Sequence, residues 1–295
     1  MTALEMGFLL LTSSLGNPER KPLTIPQFRE LTRRMRQVEK PLRSGELQEK
    51  DLLKIGVDLP IAQRILDLLS QQEQLKWYLE KGAGKDCYPL TRNSSEYPGM
   101  LHKRLNMEAP GVLWTKGDRQ LLKKPAVALV GSRELGEDNK AFAQELGKQA
   151  ALQGYVLVSG NARGADQTAQ CSCLEYGGKV IAVVADELEK HPLEENVLYI
   201  AEEGFDLEFS AARALERNRV IHSLASTTFV AQCTFGKGGT WDGTTKNLRH
   251  NWSPVVCFDD GSSAMKELAQ MGATPVAMES LADLSAINAL GQLSF

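Results

Sequence analysis

No charge of one sign dominates this sequence: 34 lysines and arginines face 37 aspartates and glutamates, for a formal net charge of -3. A globally basic nucleic-acid binder is thereby excluded, and any nucleic-acid contact must come from a local basic patch on an acidic body. Cysteine is scarce and odd in number. The five thiols (Cys87, Cys171, Cys173, Cys233, Cys257) are scattered, and no signal peptide is expected ahead of them. This argues against a disulfide framework and for reduced side chains in the cytoplasm. Cys171-x-Cys173 is two ligands short of a zinc site and falls in an apparent helix, so both are expected as buried small hydrophobes. The four histidines (His102, His191, His222, His250) lie apart, none has a nucleophile at diagnostic spacing, and all are expected to be structural or exposed. Long hydrophobic runs are missing too. The apolar start, residues 6–11, is too short to span a bilayer and reads as the first turns of a core helix, so no membrane partner is expected.

What is present centres on residues 126–169. A fully apolar run (126–130) meets Gly131-Ser132-Arg133. An amphipathic stretch follows, with Phe142, Leu146, Ala150 and Leu152 near helical spacing, and a second apolar run (156–158) meets Ser159-Gly160. The order is strand, loop, helix, strand, loop. Apolar runs without alternation suit parallel strands covered on both faces, and both loops then emerge at the carboxyl edge, where open α/β sheets bind ligands. Gly131 and Gly160 let backbone approach an anion, Ser132 and Ser159 offer hydroxyls, and Arg133 and Arg163 supply planar donor forks for phosphate oxygens. Either loop alone is equally an ordinary strand-to-helix turn; two matching loops favour a phosphate site. Neither carries Gly-x-Gly-x-x-Gly or the Gly-Lys-Ser/Thr ending, which disfavours an ordinary nicotinamide or ATP enzyme.

Ahead of this region, residues 7–79 read as helices without a strand. Thr24 caps a segment through Val38 that ends at Lys40-Pro41, and Arg29, Arg33, Arg34, Arg36 and Lys40 give it a basic face, expected to be solvated with Glu30 and Glu39 as partners. Residues 51–70 read as helix, turn at Gly56, helix: a helix-hairpin-helix element or a plain helical hairpin. A further helix ends at Gly82 and Gly84, which sets a domain boundary there. Residues 87–122 are rich in Pro, Gly, Ser and Asn, with a single strand at 112–116 expected on the sheet edge. Core strands recur at Val127, Val156, Val180, near Phe205, Phe229 and Val255. The expectation is an α/β protein: residues 1–84 a small all-helical domain, and residues 85–290 a doubly wound, mostly parallel sheet. The acidic cluster Asp186, Glu187, Glu189, Glu194 and Glu195 is interrupted by Lys190 and His191 and reads as a solvated loop rather than a metal site.

Taken together, Ser94-Ser95-Glu96-Tyr97-Pro98, Leu113-Trp114-Thr115-Lys116-Gly117, Val130-Gly131-Ser132-Arg133, Val158-Ser159-Gly160-x-Ala162-Arg163-Gly164-x-Asp166 and Arg217-Asn218-Arg219 make the chain resemble the DNA-processing protein A family, also called DprA or Smf. The resemblance runs from about Asp51 to Ala277. It implies an extended Rossmann fold behind a helical domain, non-catalytic binding of single-stranded DNA, and help in loading a RecA-type recombinase, with no cofactor or metal. Residue by residue, it assigns DNA-backbone contacts to Gly131, Ser132 and Arg133. Ser159, Gly160, Arg163 and Gly164 match the second loop, where Asp166 is expected to cap a helix. Arg217, Asn218 and Arg219 match the family's Arg-Asn-Arg, and Lys237, Gly238, Gly239 and Thr240 its Lys-Ser-Gly segment, all four elements converging on one basic pocket. Where the family often has an aromatic residue, this chain has Ala214, with Phe209 the nearest ring. Gln170 stands at the usual His, and no winged-helix domain is expected after Ile287. The resemblance also implies a homodimer, expected to be weak, with Trp241 and Trp252 as exposed anchors within or beside residues 244–278. Two alternatives remain: a nucleotide-sensing module for a small phosphorylated ligand, and a nucleoside-monophosphate phosphoribohydrolase, whose Pro-Gly-Gly-x-Gly-Thr and nearby Glu are not matched at 238–244.

Overall fold

The computed structural model describes residues 1–37 and 47–287; the expected helix end at Val38, the Lys40-Pro41 break and residues 288–290 lie outside them. The helices α1 (Ala3–Thr12), α2 (Ile25–Arg36), α3 (Glu49–Lys54), α4 (Leu59–Ser70) and α5 (Gln72–Ala83) come first. Thr24 and Gln27 form a reciprocal capping box that starts α2. Arg33 and Arg34 both pair with Glu30 at 2.6 Å, and Arg34 also donates to the Gly56 carbonyl, so Arg34 braces the hairpin turn between α3 and α4. Leu31, Leu52, Ala62, Ile65 and Leu68 form a small core of their own.

The remaining chain runs β1 (Tyr88–Thr91), α6 (Gly99–Leu105), β2 (Val112–Lys116), β3 (Ala126–Val130), α7 (Glu137–Leu152), β4 (Val156–Ser159), α8 (Ala165–Glu175), β5 (Lys179–Val183) and β6 (Val197–Glu202), then α9 (Ala211–Glu216), α10 (Asn218–Leu224), β7 (Thr228–Val230), α11 (Gly238–His250), β8 (Val255–Phe258), α12 (Ser263–Gln270) and β9 (Thr274–Val276). They build a nine-stranded sheet in the order β1-β2-β6-β5-β4-β3-β7-β8-β9. The pairs from β6 to β9 are parallel, and β1 and β2 are antiparallel additions. The fold is therefore the expected mixed α/β, mostly parallel, doubly wound sheet. Successive strand residues enter opposite layers: Val127, Leu129 and Leu157 pack under α7 and α8, while Ala128, Val130 and Val158 pack under α6, α10 and α12.

Several local expectations are corrected. β2 is not an edge strand, because β1, a second strand within 87–122, pairs outside it. The strand expected near Phe205 is β6, and Phe205 itself follows in a buried loop packed on Trp114 and Tyr78. Leu152 is exposed because α7 ends there, beyond its inward face, and Cys171 is exposed while Cys173 is buried, since the two lie on different faces of α8. Trp252 is buried and stacked on His250, so it is no surface anchor. Leu9 and Leu10 of α1 and Leu75 and Tyr78 of α5 join the cluster under the sheet, with Tyr78 donating to Asp206 at 2.7 Å. Among the described residues no helix is long and apolar enough to cross a membrane, and no group of three or more His, Cys, Asp and Glu is placed to hold a metal.

Candidate nucleic-acid interface

The chain proceeds outward from β3 through β4, β5 and β6, then returns to the other side of β3 as β7. Between β3 and β7 the connections diverge, which opens a crevice at the carboxyl ends of the strands. Hydrogen bonds join the two loops flanking it: Ser132 N–H donates to Gln232 O at 2.9 Å, and the Thr240 hydroxyl, in the first turn of α11, donates to Gly131 O at 2.9 Å. The loop after β4 docks on the same structure, with Ala165 N–H donating to Ser132 O at 3.1 Å. Gly164 has φ +88°, and a Cβ there would meet the Ser132 and Arg133 carbonyls, so only glycine lets the two loops nest.

A cavity of about 780 Å³ occupies the crevice, and its walls include Arg133, Arg217, Lys237 and Lys246 against two carboxylates, Asp166 and Asp242. Neither acid is free. The N–H groups of Gly160 and Ala162 donate to Asp166 at 3.1 and 3.2 Å, so Asp166 ties the loop ahead of α8 instead of capping the helix, whose N-cap is Gly164 with no side-chain cap bond, and Asp242 pairs with Lys246 at 2.9 Å. Burial raises the Asp166 carboxyl, opposed by Arg217 and by those N–H groups. Arg217 is 9% exposed, and burial lowers its pKa, opposed chiefly by Asp166. Its guanidinium rests where any side chain at position 160 would have to go, and its buried Nε has no hydrogen-bond partner among the described residues. A buried donor without an acceptor is costly unless a ligand supplies one.

Of the expected residues, Gly131, Ser132, Arg133, Arg217, Asn218, Lys237, Gly238, Gly239 and Thr240 line this cavity. Gly160 and Arg163 line an adjoining cleft that shares Arg133 and Arg217. Three others are placed outside both cavities. The Ser159 hydroxyl is fully buried and accepts from Gln170 at 2.5 Å, Gly164 is a docking point between loops, and Arg219 turns away into a bidentate pair with Glu202 at 2.6 and 3.0 Å. That pair lies beside a separate cleft. Arg217 is the N-cap of α10 and Arg219 lies two positions on, a turn of about 200° on a helix, so the two do not face the same way.

Lys246 has no motif around it to mark it as a site residue: it stands two helical turns beyond Gly239, on the cavity side of α11. His222 also lines the cavity. Its Nδ1 accepts from Asn247 Nδ2 at 3.1 Å, and Asn247 is oriented by Ser253 N–H donating to its Oδ1 at 2.9 Å. The ring is neutral, because burial and then Arg217 push its pKa down to about 3.

Residues 89–285 match the model of the family described as DNA recombination-mediator protein A. The DNA processing protein DprA of Streptococcus pneumoniae is 36% identical over 104 residues, 35% of this chain and 33% of that protein. Protein Smf of Escherichia coli is 28% identical over 200 residues, 63% of this chain and 52% of that protein. The chain thus spans a third to about half the length of these curated relatives. Among solved structures, DNA processing protein A of S. pneumoniae aligns over 94% of this chain and 95% of that one, with a TM-score of 0.72 at 24% identity. The H. pylori DNA processing protein A, reported for its single-stranded DNA binding mode, aligns over 71% of this chain and 97% of that one, with a TM-score of 0.56 at 21% identity. At those identities the two structures speak for the shared fold. With the family model covering most of the residues that form the sheet and its crevice, the chain belongs to the DNA recombination-mediator protein A family.

Proposed function

We propose that this protein binds single-stranded DNA in the β3–β7 crevice, without catalysis and without sequence preference, and passes the strand to a RecA-type recombinase. The observation that carries the reading is the cavity's excess of cations over carboxylates, with Arg217 buried and its Nε unpartnered among the described residues. Cations and loop N–H groups at a sheet's carboxyl edge attract phosphates and carry no base information. Of the cavity's two carboxylates, Asp166 is held by backbone N–H groups and Asp242 is ion-paired with Lys246, which supports binding over hydrolysis. A weak homodimer and a cytoplasmic site of action complete the proposal; the free thiols suit a reducing compartment.

A volume of about 780 Å³ also suits a free nucleotide, so the small-ligand reading keeps a specific foothold. Fluorescence anisotropy of a labelled oligo-dT, competed with unlabelled single strand, duplex and deoxynucleoside monophosphate, separates the two. Displacement by single strand at far lower concentration than by either other competitor is expected. Displacement by the mononucleotide at a comparable concentration overturns the strand-binding reading.

A further inference from the structure

His222 is 1% exposed yet lines the crevice cavity, and its two ring nitrogens differ in what they meet. Nδ1 faces the side-chain amide of Asn247 at 3.1 Å and the Thr228 hydroxyl at 3.2 Å. The Asn247 amide has one orientation, because its Oδ1 accepts from Ser253 N–H at 2.9 Å and a backbone N–H can only donate. Asn247 Nδ2 therefore faces the ring as a donor, and Nδ1 is the acceptor. The ring is neutral, so its one hydrogen is on Nε2. Nε2 has no hydrogen-bond partner among the described residues. A Cβ at position 243 would come within 3.2 Å of it, so Gly243 leaves that edge of the ring uncovered. Asn247, Thr228 and Ser253 stand behind the ring and do not line the cavity.

We infer that His222 is a phosphate-binding residue of the crevice, an uncharged Nε2–H donor fixed in that tautomer by Asn247, which takes one non-bridging oxygen of the strand. A buried N–H without an acceptor is costly unless a ligand supplies one, and Arg217 Nε is a second such donor in the same cavity. The charge of Arg217 is felt at the His222 ring, so the potential at Nε2 favours an anionic oxygen over a neutral carbonyl. A neutral donor adds a hydrogen bond without adding charge. It tightens the strand while releasing no further counterion, which separates its signature from that of Arg133 or Lys237. No motif marks the position, since His222 lies three residues beyond Arg217-Asn218-Arg219. The inference rests on the proposed strand binding.

The test titrates wild type, His222→Leu and His222→Gln with oligo-dT and with an abasic strand of equal length over a range of salt, and follows the imidazole nitrogens of the wild type by NMR. His222→Leu should lose roughly tenfold or more in affinity for both strands alike, at the wild-type salt slope. His222→Gln keeps a donor at that depth and should recover most of the loss. The ring signals missing from the His222→Gln spectrum identify His222; they should show Nε2 protonated in the free protein and shifted by the abasic strand. A loss confined to oligo-dT, a reduced salt slope, unchanged affinity or a ring protonated on Nδ1 overturns the assignment. Should His222→Leu not fold, the wild-type signals decide alone, and an Nε2 resonance unmoved by the abasic strand overturns it. A wild-type protein that binds neither strand instead removes the strand-binding reading on which the inference rests.

Discussion

Arg133 and Arg219 lie in matching motifs yet have opposite surroundings. Arg133 is exposed at the cavity wall, so Arg133→Ala should leave stability nearly unchanged. Arg219 forms a largely buried bidentate pair with Glu202. Arg219→Ala strands that carboxylate and should cost about 3 to 5 kcal/mol of stability, while the salt slope of DNA binding stays as in wild type. Thermal melts beside salt titrations check the contrast; a stable Arg219→Ala with a reduced slope contradicts it. His222 gives a pH signature. Its folded-state pKa of about 3 lies below the ordinary value of 6.5, so the unfolded chain binds the extra proton between those values. Stability is complete above about 6.5 and falls as pH drops toward 3, by up to about 1.4 kcal/mol per pH unit. His222→Gln should flatten that limb in urea melts from pH 7 to 4, and an unchanged slope refutes the assignment.

At the scale of elements, the two loops owe their geometry to glycines without room for a side chain. Gly160→Ala drives a methyl into the Arg217 guanidinium and should cost about 1 to 3 kcal/mol together with DNA affinity; a variant with wild-type melting and binding contradicts the packing described. The inner strands were legible because their apolar runs are uninterrupted. β1 and β9 were not. Each is short, carries a proline (Pro89, Pro275) and lies at the sheet edge, where one face of the hydrogen-bonding ladder needs no partner and sequence signals fade. Ser132 and Arg133 could be read as site residues because the Gly-Ser-Arg turn follows a strand directly. The diversion of Arg219 could not be read, since its partner Glu202 belongs to a strand that sequence alone placed near Phe205.

At the scale of the molecule, α1 and α5 pack under the sheet, while α2, α3 and α4 share a core of their own. Tyr78 of α5 packs on Trp114 and Phe205 with centroids 5.3 and 4.8 Å away, and its hydroxyl meets Asp206. Far-ultraviolet and near-ultraviolet signals should therefore melt in one coincident transition, and two separated transitions contradict a shared core. The proposed homodimer cannot use Trp252 as an anchor, since that ring is interior, so it should dissociate at low micromolar concentration in light scattering.

The most direct test of the central claim is the salt dependence of oligo-dT binding in wild type, Arg133→Ala and Lys237→Ala, followed by anisotropy. Each variant removes one cation from the cavity wall, and the slope of log affinity against log salt should fall by about 0.7 for each phosphate no longer neutralised. Slopes equal to wild type in both variants, with affinity undiminished, would mean that the strand binds elsewhere and that the crevice between β3 and β7 is not the site.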